Sequence, residues 1–406
     1  MVLARSPRMP AEEVAIEGAL ARVLAEPVVA GDEPIPGFDN SAMDGYAVRI
    51  ADTDGANAEA PVPLRIAGES RAGHPAEVGL AAGEAIAIST GAMVPAGADA
   101  VVRVEDTRSA DGTVQVLAAP ADGANIRRAG EDVQPGEALL DAGAVLGPTE
   151  LGVLASLGRG SVRCARRPSV TILSTGDELV GPGEEMFPGA VRNSNAHSVP
   201  PLATDAGAEV ERVVGVRDQL GATRDAIEKA LGSDVAVICG GVSVGEHDHV
   251  RPALEELGVE EVFWGVSLRP GKPTYFGVAE REAPPGGGEA TPALVFGLPG
   301  NPVSAMVTFL LFARPAIRQL LGAADRRERA TAILAKPYAK KPGRAHAIRV
   351  RLELGDDGWL AMPTKEQGSH VLTSMLGADA LAILPGEHGD FEAGERVEIE
   401  LLSAGV

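Results

Sequence analysis

The spacing of hydrophobic residues changes along the chain and predicts regions of different secondary structure. Apolar side chains between residues 11 and 24 recur close to a helical repeat, and Pro10 suits a starting position, so an amphipathic helix is predicted there. From about residue 49 to 133, short apolar runs alternate with turn residues, which predicts a small all-β module. A helical pattern returns at residues 151–157.

From about residue 166, apolar strands alternate with amphipathic helices. Strands are predicted at 169–173, 210–216, 235–239, 259–266 and 293–297. Helices are predicted at 194–205, 220–231, 250–257 and 302–321. This alternation predicts an open α/β sheet covered by helices. The tail from about residue 331 returns to short strands with glycine turns, which is typical of a separate β domain.

The predicted fold class is therefore α/β plus β, with several domains. Residues 1–48 and 135–165 are predicted to form an elongated N-terminal domain, into which a β-rich module of residues 49–134 is inserted. A central open α/β domain covers 166–325, and a C-terminal β domain covers 326–406. A chain of 406 residues has enough material for more than one core, because domains commonly contain about 150 residues.

Composition argues against several classes of function. Lys and Arg number 36 and Asp and Glu number 57, so the net charge of −21 would repel a nucleic-acid backbone. Two cysteines form no disulfide framework and suit a reducing compartment. No signal-peptide pattern opens the chain, and the strongest apolar stretch, at 305–313, is shorter than the roughly 18 residues of a membrane span. The sequence predicts a cytoplasmic protein without a membrane segment.

Glycine-rich polar loops follow three of the predicted strands, at 174–179, 240–248 and 297–304. Ligands of open α/β sheets bind beyond the carboxyl ends of the strands, so these loops are predicted to share one edge. Gly240 and Gly241 would let backbone N–H groups approach a phosphate, and Asn301 followed by Pro302 suits a helix start that attracts anions. One such loop is as well explained by a tight turn, whereas three on one edge favour a ligand site.

Carboxylates recur in these loops and elsewhere, at Asp44, Glu178, Asp218 and Asp248. If they converged, two like charges about 4 Å apart would repel by about 4 kcal/mol at an effective dielectric of about 20. A divalent cation would remove this conflict, and oxygen ligands with phosphates favour Mg²⁺. Taken singly, each acid is more often a cap or a turn residue.

His247 and His249 are interpreted as solvated loop residues, because the sequence places no third ligand beside them.

A local positive loop, Arg269-Pro270-Gly271-Lys272-Pro273, stands out against the acidic background and would clamp a small dianion. Arg349 and residues 367–370 add further donors, although a surface arginine and an ordinary turn would look the same. From the residues alone, the chain is predicted to bind a phosphorylated small molecule with a divalent cation. The reaction stays open at this point.

Seven motifs occur in order along the chain: FDNSAMDGYA (38–47), STGA (89–92), IRRAGED (126–132), STGDEL (174–179), GGVSVG (240–245), PGKP (270–273) and LPGNPVS (298–304). At these motifs the sequence closely resembles the molybdopterin molybdenumtransferase family, the bacterial relatives of the C-terminal domain of gephyrin. The resemblance implies the last step of molybdenum cofactor synthesis, in which molybdate enters the dithiolene of adenylyl-molybdopterin and AMP is released. The pterin sulfurs would hold the metal, so Cys164 and Cys239 would not be needed as ligands.

The resemblance also implies roles for individual residues. The functionally sensitive, catalytic positions would be Asp44, Thr90, Asp132, Glu178, Asp218 and Asp248. Glu178 and Asp248 would hold Mg²⁺ at the reacting phosphates. Molybdopterin and the nucleotide would contact Gly240, Gly241, Ser243, Pro299, Asn301 and Pro302. Molybdate would contact Arg269, Lys272, Pro273, Arg349 and Ser369. Arg269 stands where many relatives have Lys, and its planar guanidinium is not equivalent to an ammonium group.

The resemblance further implies a homodimer whose active site combines the α/β domain of one subunit with the β module of the other. The molybdopterin adenylyltransferase and molybdoenzyme chaperones are further expected partners. Three alternatives stay open: a molybdopterin adenylyltransferase that consumes ATP, a gephyrin-like scaffold that binds a peptide through the tail domain, and an acidic carbohydrate- or nucleotide-binding protein. The sequence does not distinguish molybdate from tungstate as the natural oxyanion.

Overall fold

The computed structural model describes residues 1–243, 245, 248–281, 291–323 and 329–402. The chain divides into two compact units. The first unit contains Met1–Glu26, Ala142–Pro148 and the chain from Ser161 onward, and the second contains Pro27–Asp141 and Thr149–Gly160. Val244, Glu246 and His247 of the predicted 240–248 loop lie outside the described residues.

A six-stranded sheet forms the centre of the first unit. Its spatial order is Glu209–Val216, Ser169–Thr175, Val235–Cys239, Ala293–Leu298, Tyr275–Ala279 and Glu260–Trp264. The first four strands are parallel, and the fifth runs antiparallel to both of its neighbours. The predicted open α/β sheet is confirmed. Tyr275–Ala279 is a strand that the hydrophobic pattern did not predict.

Helices cover both faces of this sheet. They are Asn195–Asp205, Leu220–Ala230, Val250–Glu256 and Pro302–Thr308, the last continuing through the π-helical turn Phe309–Ala313 into Arg314–Leu321. Side chains of Val235–Cys239 alternate between two buried clusters, with Val237 in one and Ile238 in the other. A parallel strand that is covered on both faces is hydrophobic throughout, and this is why its position was predictable.

The long helix that begins at Pro302 is a core element. By length and composition it could cross a membrane, but 67% of its 18-residue apolar window is buried inside the protein. Its π-helical turn ends two residues before Pro315, which has no N–H and whose ring crowds the carbonyl of Leu311, four residues earlier and within the turn. The helix therefore packs against the sheet with a local widening that the proline explains.

The C-terminal residues form a second sheet, which closes on itself. Its order is Leu268–Arg269, Ala345–Gly355, Gly358–Pro363, Arg329–Leu334, Arg396–Leu401 and Ala380–Leu384. Ala380–Leu384 pairs back with Ala345–Gly355, so the predicted C-terminal β domain is a small barrel. Leu268 and Arg269 pair in parallel with Ala345 and His346, which attaches the basic loop to this barrel.

The amphipathic helix predicted for residues 11–24 is wrong. Ala11–Ala15 is a strand that pairs antiparallel with Ser161–Ala165, and a single 3₁₀ turn, Ile16–Gly18, follows it. Ala21 then adopts a left-handed conformation, with φ of 58°, which no helix interior tolerates. The strand partner comes from a distant part of the sequence, so local periodicity could not reveal it.

The second unit contains another six-stranded sheet. Its order is Ala100–Arg103, Gly45–Val48, Glu84–Ile88, Val62–Ser70, Thr113–Val116 and Thr107–Ala110. Two short pairs accompany it, Asn40–Ser41 with Ile126–Arg127 and Val28–Val29 with Ala138–Leu140. The helix predicted near 151–157 spans Pro148–Ser156. Gly45–Val48 belongs to this sheet, whereas the sequence boundary had placed it in the elongated domain.

Candidate active site

Three glycine-rich loops meet at one edge of the central sheet. They follow Ser169–Thr175, Val235–Cys239 and Ala293–Leu298, which are adjacent and parallel, so the carboxyl ends of these strands lie side by side. The loops border a cavity of about 640 Å³. The predicted site residues that line it are Glu178, Asp218, Gly240, Gly241, Ser243, Asp248, Pro273, Pro299, Asn301 and Pro302.

Two consecutive glycines form part of the cavity wall because no side chain fits there. A Cβ on Gly240 would lie 2.9 Å from the carbonyl oxygen of Thr175, and one on Gly241 would lie 2.7 Å from a methyl group of Val250. Both residues have a positive φ, of 97° and 65°. The N–H of Gly240 donates to the carbonyl of Leu298 at 3.0 Å. This N–H therefore joins two of the loops and is not free for a phosphate.

Two of the cavity carboxylates also stabilise the loops that carry them. Asp248 accepts a hydrogen bond from the N–H of Gly245 at 3.0 Å. Asp218 accepts one from the N–H of Asp177 at 3.3 Å, and Asp177 accepts one from the N–H of Asp218 at 3.3 Å. This reciprocal pair joins the loops that follow two neighbouring strands. Asp218 thus positions the cavity edge, in addition to any role toward a ligand.

The remaining cavity carboxylate, Glu178, folds back over Gly176, where an added Cβ would lie 2.5 Å from its Oε2. Within the described part of the chain, no group of three or more His, Cys, Asp or Glu could hold a metal ion. Mg²⁺ usually binds through one or two carboxylates together with substrate phosphates and waters. Glu178 and Asp248 therefore fit a Mg²⁺ ion that substrate phosphates and waters would help to hold.

Neither cysteine is suited to bind a metal. Cys239 lines the cavity, but burial raises its pKa to about 12, so the thiol stays protonated at neutral pH. Cys164 is buried in the strand Ser161–Ala165, and burial raises its pKa as well. Sulfur ligands for a metal at this cavity would therefore have to come from another molecule.

A second cavity, of about 470 Å³, adjoins the first. The two cavities share part of their walls, formed by Pro273, Pro299, Asn301 and His370. Ser369 also lines the second cavity, and its hydroxyl accepts a hydrogen bond from the Asn301 side-chain amide at 3.2 Å. One ligand can therefore extend from the first cavity to the entrance of the second.

The second cavity is positively charged. Arg269, Lys272 and Arg344 line it, and none of the described residues that line it is Asp or Glu. Among the described residues, the first cavity is instead lined by three carboxylates and one arginine, Arg192. The two cavities thus differ in charge, which suits a cation-bound phosphate in the first and a free anion in the second.

Arg349, predicted to contact molybdate, is not among the residues that line either cavity. Its side chain is 1% exposed, and burial lowers its pKa to about 10. Its Nε donates to the hydroxyl of Ser374 at 3.2 Å, and one terminal nitrogen donates to the carbonyls of Glu366 and Gly368, each at 3.3 Å. Arg349 therefore holds the loop that carries Ser369.

The predicted site residues of the second unit lie on motifs that the fold brings together. Asp44 accepts hydrogen bonds from the N–H and the hydroxyl of Thr90. Asn40–Ser41 pairs with Ile126–Arg127, and the N–H of Gly91 donates to the carbonyl of Ser41 at 2.7 Å. The segments 38–47, 89–92 and 126–132 therefore form one cluster.

Asp132 belongs to the same cluster, and the N–H of Asp132 donates to the carbonyl of Ile35 at 3.0 Å. Asp39 was not predicted as a site residue, yet it accepts hydrogen bonds from the N–H of Ala129 at 2.8 Å and from the Arg128 guanidinium at 2.6 Å. These two contacts lower the pKa of Asp39. Asp39 ties the first motif to the third.

The sequence analysis also did not identify two cavity-lining residues of the first unit. Asn195 lines the first cavity, and its amide donates to the carbonyl of Gly300 at 2.8 Å, which joins the start of Asn195–Asp205 to the last glycine-rich loop. Arg344 lines the second cavity. Asn195 follows Asn193 and Ser194, a polar cluster before a helix that could have drawn attention, whereas Arg344 carries no comparable signal.

Known families match consecutive parts of this chain. Residues 1–158 match the MoeA N-terminal region (domain I and II), residues 171–319 match a probable molybdopterin binding domain, and residues 331–402 match the MoeA C-terminal region (domain IV). A molybdopterin biosynthesis MoeA protein from Pyrococcus horikoshii has a similar structure, with a TM-score of 0.81, 31% sequence identity, and coverage of 98% of this chain and 97% of that chain.

Curated relatives extend over nearly the whole chain. The molybdopterin molybdenumtransferase of Haemophilus influenzae is 36% identical over 394 residues, which cover 96% of this chain and 93% of the relative. The molybdopterin molybdenumtransferase of Bacillus subtilis is 35% identical over 397 residues, which cover 96% and 90%. This chain belongs to the molybdopterin molybdenumtransferase family.

Proposed function

We propose that this protein inserts molybdate into the dithiolene of adenylyl-molybdopterin and releases AMP. The observation that carries the proposal is the pair of adjoining cavities of different charge, which share Pro273, Pro299, Asn301 and His370. The reaction needs a site for a phosphoanhydride beside a site for a tetrahedral dianion. The two cavities provide these two environments, and the relatives that cover almost the whole chain carry the corresponding name.

The first cavity would bind the pterin and the nucleotide. Gly240, Gly241 and Ser243 would face them from one loop, and Pro299, Asn301 and Pro302 from another. The long helix begins at Pro302, so the positive end of its dipole lies at this cavity. Glycines without side chains allow the ligand to lie close to the backbone.

We further propose that the reaction depends on Mg²⁺, held by Glu178 and Asp248 together with the substrate phosphates. The ion would neutralise charge at the phosphoanhydride. The cavity carboxylates would otherwise repel the phosphates, so the chain's own acids are compatible with substrate only when a cation is present. Asp218 would keep the loop of Glu178 in place through its reciprocal bonds with Asp177.

The second cavity would hold molybdate. Arg269 and Lys272 supply positive charge, Pro273 forms the wall shared with the first cavity, and Ser369 supplies a hydroxyl. Arg349 would act by holding the loop of Ser369. Arg269 offers a planar fork of donors, which favours two parallel hydrogen bonds to oxygen atoms of the dianion.

Asp44, Thr90 and Asp132 would complete the site from a second copy of the chain, so we propose a homodimer in the cytoplasm. The support is the clustering of the three motifs around the Asp44–Thr90 hydrogen bonds within the second unit. The molybdopterin adenylyltransferase would supply the adenylylated substrate, and molybdoenzyme chaperones would receive the product. Neither nucleic acid nor a membrane is proposed as a partner, because the net charge of −21 opposes contact with polyanions.

AMP release from adenylyl-molybdopterin by the purified full-length protein tests this function. Mg²⁺ and the oxyanion, molybdate or tungstate, are varied, and Glu178→Ala is assayed in parallel. We expect release that requires Mg²⁺ and an oxyanion and that fails in the variant, and the more effective oxyanion names the natural metal. Consumption of ATP with free molybdopterin would favour an adenylyltransferase, and substrate binding without AMP release would favour a scaffold.

A further inference from the structure

We infer that Arg344 is a third cationic contact for the oxyanion, beside Arg269 and Lys272. The inference rests on the proposed function, because it assigns one more residue to the anion that this function requires. Arg344 lies outside every motif noted in the sequence, and its position on the second cavity is seen only in the fold.

The backbone of Arg344 is held firmly relative to the basic loop. The next residue, Ala345, donates its N–H to the carbonyl of Ser267 at 2.9 Å, and Leu268 pairs with Ala345 in register. On the other side, the N–H of Gly343 donates to the carbonyl of Gly386 at 2.8 Å. These bonds fix the start of the strand Ala345–Gly355, so the backbone of Arg344 is held next to the segment that leads into the basic loop.

Gly386 also shows how closely the chain passes the backbone of Arg344. A Cβ on Gly386 would lie 3.3 Å from the backbone carbonyl carbon of Arg344 and 3.2 Å from the N–H nitrogen of Ala345. The close packing leaves the Arg344 backbone little freedom. Its side chain, by contrast, is exposed toward the second cavity.

The charge balance of the second cavity points to an anion. Within the described residues, Arg269, Lys272 and Arg344 form no ion pair with a carboxylate, whereas Arg281 and Arg166 both pair with Asp234. In a chain with a net charge of −21, unpaired cations gathered on one cavity are unusual. Their mutual repulsion is relieved when a dianion binds between them.

Arg344 also differs from Arg349, the arginine that the family resemblance assigns to molybdate. Arg349 is buried and uses its Nε and one terminal nitrogen to hold the loop that carries Ser369. Arg344 makes no such contact within the described chain and lines the cavity itself. The structure thus separates an arginine that positions the loop from one that faces the anion.

Binding of sodium molybdate to the full-length protein, measured by isothermal titration calorimetry, tests the inference. Arg344→Gln should raise the Kd for molybdate about tenfold, which corresponds to about 1.4 kcal/mol, with an unchanged melting temperature. Arg344→Lys should recover part of this loss, because it restores the charge without the fork of donors. The molybdate concentration for half-maximal AMP release should shift in the same direction.

Lys341→Gln is the matched control, because Lys341 is exposed in the same loop and lines neither cavity. It should bind molybdate as the wild type does. If Arg344→Gln binds molybdate normally while Lys272→Gln is weakened, the role of Arg344 is refuted and the proposed function stands. If the wild-type protein neither binds molybdate nor requires it for AMP release, the proposed function fails, and the inference fails with it.

Discussion

Oδ1 of Asp44 accepts two hydrogen bonds from Thr90, one from the N–H at 2.7 Å and one from the hydroxyl at 3.1 Å. The strand Gly45–Val48 begins directly after Asp44, and Thr90 follows the neighbouring strand Glu84–Ile88. A single carboxylate oxygen therefore joins the loop after Glu84–Ile88 to the start of the neighbouring strand Gly45–Val48. Two positions that the family resemblance marks as sensitive are one structural unit.

Substitution of Asp44 should separate its structural role from its charge. Asp44→Ala removes both bonds to Thr90 and should lower the free energy of unfolding by about 1 kcal/mol. Asp44→Asn keeps an oxygen acceptor and should stay close to wild-type stability while AMP release falls sharply. Denaturant unfolding and the AMP assay measure the two effects.

Asp54→Ala serves as the control for Asp44→Ala, because Asp54 is exposed in the same unit and its side chain forms no hydrogen bond with the described residues. It should alter neither stability nor activity. An Asp44→Asn variant with full activity would show that the negative charge is dispensable.

The glycine at position 240 should be required for steric reasons. Gly240→Ala places a Cβ 2.9 Å from the Thr175 carbonyl oxygen at a φ of 97°, so both a clash and a strained backbone result. We expect a loss of at least about 2 kcal/mol in the free energy of unfolding of the first unit, measured by urea denaturation.

Gly258→Ala is the matched control for this substitution. Gly258 has a φ of 72° and nothing within 4 Å of an added Cβ, so only the backbone strain applies. Gly258→Ala should lower the free energy of unfolding by about 1 kcal/mol. Equal losses in the two variants would contradict the argument that the close approach to Thr175 excludes a side chain.

Much of this fold was predictable where a local pattern reports a local environment. Val235–Cys239 is buried on both faces and therefore hydrophobic throughout, and its predicted and observed bounds agree. The glycine-rich loops were recognisable for a similar reason, because positive φ and close backbone approach select glycine locally. The predicted edge of the sheet follows from these features together.

The errors arise where a distant segment decides the structure. Ala11–Ala15 becomes a strand because Ser161–Ala165 offers its backbone hydrogen-bonding groups, and no property of residues 11–24 encodes that partner. Distant segments also decide the positions of Arg344 and Arg349 in the barrel. Arg349 is buried under carbonyl groups of a later loop, and Arg344 faces the cavity because Leu268–Arg269 pairs beside it. Sequence motifs alone could not separate these two roles.

Removal of divalent cations should stop AMP release, and Mg²⁺ should restore it. Glu178→Gln and Asp248→Asn each remove one negative oxygen donor from the first cavity and should raise the Mg²⁺ concentration for half-maximal release about tenfold or more. A Mg²⁺ titration of AMP release after treatment with a chelator measures this requirement.

Glu185→Gln is the control for the two carboxylate variants. Glu185 is an exposed acid between the short strands Leu179–Val180 and Val191–Arg192, and it does not line the cavity. The Glu185→Gln variant should need the same Mg²⁺ concentration for half-maximal AMP release as the wild type. Full activity of the wild-type protein in the presence of the chelator would exclude the proposed role of the cation.

The barrel should lose stability in mildly acidic solution because of His346. Burial, together with Arg269, Lys340 and Arg344, lowers the pKa of His346 to about 4, and the neutral ring contacts the Tyr338 hydroxyl at 3.3 Å. An unfolded histidine has a pKa of about 6.5, so between these values the unfolded chain binds more protons than the folded chain. The contribution of His346 to stability is therefore complete above about pH 6.5 and is lost progressively as the pH falls toward 4.

Calorimetric melting temperatures at several pH values measure how stability depends on pH, and His346→Gln should flatten the slope of this dependence because glutamine does not titrate. His74→Gln, at an exposed histidine of the second unit, should leave the slope unchanged, and an equal effect of the two substitutions would contradict the assignment.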